Sequence, residues 1–347
     1  MSVADKESTA AKQDKEPQIR LAVDFCDPET LGVRAGADGA ILTDSLLFCL
    51  GVTSALALRD GEVVLVVTGD FVESVKARLP EGPYRDSYDR TRGAGTVGGK
   101  TLVVGDEVHV LLDAWMFYEA DVIEARGGDA DTVAALRDHA EDRGRLARRT
   151  ASHEARHVAM EQSSEDEVVL DELTWDRQNF LSVAHQVISE YRAELGVPLD
   201  LREEYELGLT QGSLAALRDD LRRIATVEYQ QHRDVGKLAY DVTQQSHHLW
   251  KVLAYLAAAR RVFGVPLGEP VPYHPADAEN WELMVEAHWA TFEKLLNGIP
   301  EGGVRIEEGE LDEKRTSLAD LLFEWLRTFG FAWSTDQFLI ESWHLVD

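Results

Sequence analysis

The spacing of apolar residues changes once along the chain, at Gly127-Gly128, and this change limits the folds that the chain can adopt. Before it, short β-rich segments recur at residues 19–25, 61–71 and 100–112. After it, apolar residues recur at helical spacing nearly to the end. A run of strands followed by a run of helices is typical of an α+β protein. The sequence therefore predicts an α+β fold, with a mixed amino-terminal sheet region followed by a largely helical region.

Length sets the number of folding units that we expect. At 347 residues the chain is too long for one minimal domain and can bury a large core. Its first 18 residues are polar and contain no apolar segment, so we expect a disordered tail there. The predicted parts are this tail (1–18), an α+β sheet region (19–126), a segment with two site-bearing helices (127–200) and a helical carboxyl-terminal region (201–347).

Turn and stop signals divide both regions further. Two β-rich arms meet at Gly105-Asp106 and predict a hairpin, and the amphipathic segment 71–79 predicts a short helix. Residues 131–162 predict one long helix or two, because Gly144 lies inside the pattern. The remaining helices are expected at 175–195, where Gly196 ends the pattern, and at 204–263, 276–296 and 318–329.

Net charge excludes some classes of partner. The chain has 63 acidic and 35 basic residues, which gives a formal charge of −28. Such a surplus repels nucleic-acid phosphates and anionic membrane surfaces. We therefore expect neither nucleic acid nor a membrane as a partner. A basic regulatory protein or a salt-adapted host would also fit this charge, and composition does not separate the two.

Cysteine content and hydropathy indicate the compartment. Cys26 and Cys49 are the only cysteines, too few for a disulfide framework, and each follows a phenylalanine. We expect both to be buried, reduced thiols. The longest apolar run, residues 45–58, is too short to cross a bilayer. The sequence therefore predicts a cytoplasmic protein.

The stretch TASHEARHVAM, residues 150–160, contains the strongest chemical signal. On a helix, His153 and His157 project from one face and can share a metal ion, and neutral imidazoles are good zinc ligands. Glu154 lies about 100° round the helix from His153, near enough to act as general base on a metal-bound water. The alternative is a solvated helical face on which Glu and Arg residues pair across turns.

The next predicted helix supplies two carboxylates. Glu190 and Glu194 lie on or beside the apolar stripe of Val183 and Val187, which is expected to face inward. Buried carboxylates are costly unless they are ion-paired or bound to a metal. The sequence therefore predicts that one of them completes a metal site. The alternative is a structural ion pair with an arginine such as Arg143, Arg148 or Arg156.

HEARH on one helix followed by ExxxE on the next resembles the gluzincin branch of the zincin metallopeptidases, which is thermolysin-like in arrangement. The resemblance covers about residues 150–195. It implies a Zn²⁺ ion bound by His153, His157 and Glu190, with Glu154 as general base. It also implies that Glu194 hydrogen-bonds a ligand histidine, which would fix the tautomer of the ring. The function that it implies is a peptidase that acts on a peptide or protein substrate.

Two further parts of such a site have candidates in the sequence. In zincins an edge strand before the HExxH helix binds the extended substrate, and the glycine-rich segment 94–104 is the candidate strand. The oxyanion of the transition state needs a hydrogen-bond donor. Tyr229 and His232, three residues apart in a helical segment, are candidates for this role, as are His247 and His248.

Two other functions remain open at this stage. The pattern ExxH occurs at 154–157 and 341–344, and with Glu190 and Glu228 it would fit a ferritin-like di-iron site. The strand-rich first third of the chain argues against that architecture. A non-catalytic interaction or regulatory protein is the other alternative, with the aromatic-rich segment 323–338 either as a contact surface or, as we expect, as core.

Overall fold

The computed structural model describes residues 19–36, 39–58, 62–92, 95–96, 98–165, 168, 170, 173–209, 211–334 and 337–340. The predicted tail therefore lies outside the described residues. The predicted α+β fold is confirmed, since strands occupy mainly the first third of the chain and helices most of the rest. The strands are β1 (Ile19–Asp24), β2 (Arg34–Gly36), β3 (Gly39–Ile41), β4 (Val63–Thr68), β5 (Thr91–Arg92), β6 (Gly95–Thr96), β7 (Gly99–Val104), β8 (Glu107–Asp113), β9 (Phe331–Ser334) and β10 (Gln337–Ile340).

The helices begin with one that lies between β3 and β4. They are α1 (Asp44–Leu56), α2 (Phe71–Lys76), α3 (Pro83–Asp86), α4 (Ala120–Ala125), α5 (Ala130–Asp138), α6 (Ala140–Gln162), α7 (Trp175–Leu195), α8 (Ser213–Arg223), α9 (Tyr229–His232), α10 (Val235–Val262), α11 (Ala278–Met284), α12 (Glu286–Asn297) and α13 (Glu308–Thr328). No helix in the described part of the chain is both long enough and apolar enough to cross a membrane.

The segment 131–162 forms two helices, and the break falls at His139 rather than at Gly144. His139 has φ −109° and ψ 17°, outside the helical range, and ends α5 before α6 begins. Gly144 lies inside α6, where an added Cβ would stand 3.2 Å from Ser45 Oγ. The glycine thus lets α1 approach α6 closely instead of breaking the helix.

The main sheet has four strands in the order β1-β4-β8-β7. β1, β4 and β8 are parallel, and β7 is antiparallel to β8 at one edge of the sheet. β7 and β8 form the predicted hairpin, and Gly105 in its turn has φ +61°, a conformation that glycine adopts without strain. The predicted helix at 71–79 forms as α2 but ends at Lys76.

The central strand β4 is buried on both faces, as its unbroken run of apolar residues requires. On one face Val63, Leu65 and Val67 pack with Cys49 of α1 and with α6, and together they form the sheet core. On the other face lies a smaller cluster with α2. Cys49 is buried as predicted, whereas the prediction for Cys26 is wrong. Cys26 follows the end of β1, where the sheet no longer covers it, and its side chain is partly exposed.

A second core, the helical core, is formed by α7, α8, α10, α11, α12 and α13. Trp250 and Trp325 lie at its centre, with ring centroids 5.4 Å apart in an edge-on arrangement. Phe329 and Phe331 are also buried there. The aromatic-rich carboxyl end is therefore core over these residues, as expected.

The predicted boundary at residue 127 does not separate the two cores. Ala147, Ala151 and Val158 of α6 belong to the sheet core, whereas α7 belongs to the helical core. Helical spacing in the sequence does not predict this division of α6 and α7 between the two cores, because it does not show against which partner a helix packs. The consequence is that α6 and α7, the two site-bearing helices, meet where the sheet core and the helical core adjoin.

Candidate metal centre

Three side chains from α6 and α7 converge on one point. His153 Nε2 lies 3.2 Å from Glu190 Oε2 and 3.3 Å from His157 Nε2, and His157 Nε2 lies 3.9 Å from Glu190 Oε2. Ligands about 2.0–2.1 Å from a tetrahedral zinc ion lie about 3.3–3.4 Å from one another. The three atoms thus fit one tetrahedral cation with its fourth position open. Among the described residues, His153, His157 and Glu190 are the group of at least three His, Cys, Asp or Glu side chains whose possible ligand atoms all lie within 4.8 Å of one another.

Local sequence explains why these side chains face each other. Ala151, Ala155 and Val158 are fully buried, so the opposite face of α6 is fixed under the sheet. On α7, Val183 and Val187 are buried in the helical core. Each helix is therefore held by its apolar residues in an orientation that turns the histidines and glutamates toward the junction.

Glu194 holds the outer nitrogen of His153. The Nδ1 of His153 donates to Glu194 Oε2 at 2.9 Å, which leaves Nε2 free to face Glu190 and His157. Glu194 is almost fully buried and also accepts from Arg149 at 2.6 Å and Arg202 at 3.0 Å. Glu194 therefore combines the two roles that the sequence left as alternatives. It contacts a histidine of the cluster, and it forms ion pairs with arginines. Its arginine partners are not the ones considered from sequence, which were Arg143, Arg148 and Arg156.

The electrostatics of the cluster favour a cation. Burial opposes charge on His153, but hydrogen bonds to Glu190 and Glu194 outweigh it and raise the pKa of His153 to about 9. Burial also opposes charge on Glu194, yet His153 and the arginines hold its pKa at about 2. Burial lowers the pKa of His157 to about 3, so that ring is neutral and its nitrogen can bind a metal. Two carboxylates beside two imidazoles thus attract positive charge.

Glu154 lies beside the cluster, under the edge strand of the sheet. Its Oε2 accepts a hydrogen bond from Thr101 Oγ1 of β7 at 2.8 Å. A Cβ on Gly99 would lie 2.5 Å from Thr150 Cγ2 and 2.9 Å from Glu154 Cγ, so only glycine lets β7 lie this close to α6. Burial raises the pKa of Glu154, which suits a carboxylate that must accept a proton near neutral pH.

A cavity of about 740 Å³ opens over the cluster and over Glu154. Its far side is α10, which sequence reasoning did not connect to the site except through His247 and His248. Both of these histidines line the cavity. Lys251 and Tyr255 line it as well and hydrogen-bond the two carboxylate oxygens of Glu190. The signal that could have found them is the series 247, 251 and 255, spaced by four residues, since Lys251 and Tyr255 interrupt the otherwise apolar segment 249–259 of α10.

The structure places Tyr229 and His232 elsewhere. Neither is among the described residues that line the cavity. A π-helical turn precedes α9, and Arg233 follows it in the left-handed conformation, so this short helix does not share the direction of α10. Tyr229 packs against the helical core, and His232 Nδ1 accepts from the main-chain N–H of Asp234. The donor role proposed for these two residues is therefore not supported.

Of the residues of the di-iron alternative that the structure describes, Glu154, His157 and Glu190 line the same cavity, whereas Glu228 does not. Glu228 lies in the π-helical turn and forms an ion pair with Arg223. Residues 341–344 lie outside the described residues, and so do residues 94 and 97 of the predicted edge segment. The described part of that segment includes β7, which is the edge strand of the main sheet.

Comparison with protein-family models, with curated proteins and with solved structures finds no match to this chain. The resemblance to gluzincins therefore rests on α6 and α7 and on the geometry between them. The cytoplasmic location and the exclusion of nucleic acid stay predictions from the sequence.

Proposed function

We propose that the chain is a zinc-dependent metallohydrolase that cleaves peptide bonds in a peptide or protein substrate. The observation that carries this proposal is the convergence of His153 Nε2, His157 Nε2 and Glu190 Oε2 within 3.9 Å. Glu154 lines the same cavity as these three. A catalytic zinc takes three protein ligands and keeps one position open, and this ligand set of two histidines and one glutamate meets that requirement.

The side chains have distinct roles in the proposed reaction. When bound, zinc lowers the pKa of water at the open position and polarises the scissile carbonyl. Glu154 accepts the proton of the attacking water at its carboxylate and delivers it to the nitrogen of the leaving amine. Glu194 keeps one proton of His153 on Nδ1, so that Nε2 is the nitrogen that would release its proton and bind the metal. Thr101 orients Glu154 through its hydroxyl.

The oxyanion donor in this proposal comes from α10. Tyr255, His247 and His248 line the cavity opposite Glu154. Burial and the charge of Glu190 hold the pKa of Tyr255 well above its ordinary value, so the phenol keeps its proton. Its hydroxyl donates to Glu190 in this structure, and in the proposed reaction it turns to the oxyanion when Glu190 binds the metal. A donor placed where charge develops in the transition state is usually a large contribution to catalysis. These residues replace Tyr229 and His232 in the proposal.

Substrate is proposed to bind along β7. Among the described residues, the strand has a hydrogen-bonded neighbour only on the β8 side, so its other edge can pair with an extended peptide. Gly98 and Gly99 line the cavity beside this edge. Glycines there leave room for the main chain of a substrate to approach Glu154 closely.

The direct test is zinc-dependent cleavage of peptides. The protein is stripped with a chelator, reloaded with zinc or with iron(II), and incubated with a peptide mixture that is read by mass spectrometry. We expect defined cleavage with zinc and none in the stripped protein. Cleavage that is independent of the metal, or no cleavage of any peptide by the zinc-loaded protein, would contradict the proposal.

Gly99→Ala is expected to lower peptide hydrolysis more than it lowers stability. The added Cβ would lie 2.5 Å from Thr150 and 2.9 Å from Glu154, so the general base must move. A displacement of about 1 Å costs about a hundredfold in rate, whereas overpacking costs about 1–3 kcal/mol in the free energy of unfolding. Peptide kinetics and thermal unfolding measure the two effects. The control is Gly51→Ala, since a Cβ there meets nothing within 4 Å; equal loss of activity in both variants would refute this role.

A further inference from the structure

The cavity over the metal cluster has a different charge balance from the whole chain. The sequence has 63 acidic and 35 basic residues, whereas the described residues that line the cavity include four of each kind. Three of the four acidic side chains, Glu154, Glu190 and Glu194, already serve the cluster. A divalent cation held there would make the cavity positive inside a strongly negative protein. The four basic side chains are Arg90, Lys100, Arg149 and Lys251.

Lys100 differs from the other basic side chains of the cavity. In the part of the chain that the structure describes, it forms no ion pair with a carboxylate. Its partly exposed ammonium, which no described carboxylate neutralises in an ion pair, is available to a ligand that enters the cavity. The other three are ion-paired, namely Arg90 with Asp113 at 2.7 Å, Arg149 with Glu194 at 2.6 Å, and Lys251 with Glu190.

Lys100 is also placed next to the reacting groups. It lies on β7 between Gly99 and Thr101, which both face Glu154. Side chains alternate along a strand, so Lys100 starts from the other face of β7, that of its partner Leu111, and lines the cavity from the edge of the sheet. Burial is the larger influence on the pKa values of Glu154 and His157, but Lys100 is close enough that its charge acts to lower both. An ammonium this close to the general base would also lie close to the bond that the base helps to cleave.

Strand pairing makes the position more specific. Directly opposed side chains on neighbouring strands lie about 4.5–5.5 Å apart. A peptide bound along the free edge of β7 would therefore bring one side chain within reach of Lys100. Gly99 and Thr101, the neighbours of this position, face Glu154, so the substrate residue opposite Lys100 lies beside the scissile bond, and its side chain points to the same face of the sheet as Lys100. Opposite charges across such a pair stabilise it, and like charges oppose it.

We propose that Lys100 binds a carboxylate of the substrate, so that the preferred peptides carry negative charge next to the cleaved bond. The carboxylate is either an acidic side chain or the carboxyl terminus of a short peptide, and both present the same chemistry to an ammonium. This inference rests on the proposed peptidase function. It adds a substrate class that the metal cluster alone does not define.

The test compares matched peptides with the zinc-loaded protein. Each peptide carries Asp or Asn, or Glu or Gln, beside the cleaved bond, and each is made with a free and with an amidated carboxyl terminus. We expect kcat/KM to be higher for the charged member, and Lys100→Gln to reduce the charged-to-neutral ratio about tenfold to a hundredfold, as expected for loss of a charge-assisted hydrogen bond. Lys294→Gln removes an equal charge from an exposed position on α12 and should leave the ratio unchanged.

The outcomes separate this inference from the proposed function. A ratio near one, or a ratio that Lys100→Gln does not change, overturns the role of Lys100 while peptide cleavage itself stands. Should no peptide be cleaved, fluorescence anisotropy measures binding of the same labelled peptides to the zinc-loaded protein. If the charged peptides bind more tightly than the neutral ones, and Lys100→Gln abolishes this difference, the carboxylate site is supported without peptidase activity. Equal binding of charged and neutral peptides would overturn the carboxylate site. Comparison of peptides with free and with amidated carboxyl termini shows whether Lys100 binds an acidic side chain or the terminal carboxylate.

Discussion

Zinc-loaded protein with Glu154 replaced by glutamine is expected to hydrolyse peptides about 10²- to 10⁴-fold more slowly than the unaltered protein, because general-base catalysis contributes about this much. Glutamine has nearly the same shape as glutamate but does not accept a proton. Its amide oxygen can still accept the hydrogen bond from Thr101 Oγ1, which spans 2.8 Å to the carboxylate. Glu154 is not one of the three converging ligands, so we expect zinc content to stay the same.

The kinetics of Glu154→Gln separate a base from a structural residue. Because the pKa of Glu154 is raised by burial, loss of its charge removes an unfavourable buried ion, and stability should not fall. The matched control is Glu141→Gln, an exposed position in the first turn of the same helix. Undiminished hydrolysis in Glu154→Gln with zinc bound would exclude Glu154 as the base. A non-catalytic interaction protein would show no hydrolysis in either form.

The part of the site that could be predicted is the part encoded by short-range periodicity. His153 and His157 share a helical face because they are four residues apart, and Glu190 and Glu194 share one for the same reason. The inward direction of each face also follows from apolar neighbours such as Val187, which is buried. Local spacing thus predicts which side chains lie together on one helix and in which direction they point.

The parts that sequence could not predict depend on contacts between distant segments. Thr101 meets Glu154 across 53 positions, and Lys251 meets Glu190 across 61. No local pattern specifies such a pair, since it depends on how the sheet and the helical core come together. Tyr229 shows the limit of local spacing as well. The spacing of its segment predicts one helical stretch, but a π-helical turn and the left-handed Arg233 separate Tyr229 from α10.

The fold was predictable to a similar extent. The hairpin of β7 and β8 follows from its turn at Gly105, and the end of α7 follows from Gly196. The parallel pairing of β1, β4 and β8 does not follow from local signals, because it joins strands that are far apart in the chain. The helix break at His139 does not follow from local signals either. Gly144 is the weaker helix former and predicts the break at its own position, but it stays helical because it allows close contact with α1.

Zinc content of the purified protein beside a His157→Ala variant tests the central claim most directly. His157 supplies one of the three converging atoms, and removal leaves two ligands, too few for a stable tetrahedral site. We predict about one zinc ion per chain in the unaltered protein and far less in the variant. Added zinc should also stabilise only the unaltered protein, by about 2.7 kcal/mol at a hundred times its Kd. His139→Ala, at an exposed histidine just before α6, controls for adventitious surface binding and should retain the metal. Equal zinc in the unaltered protein and in His157→Ala would contradict the proposed metal centre.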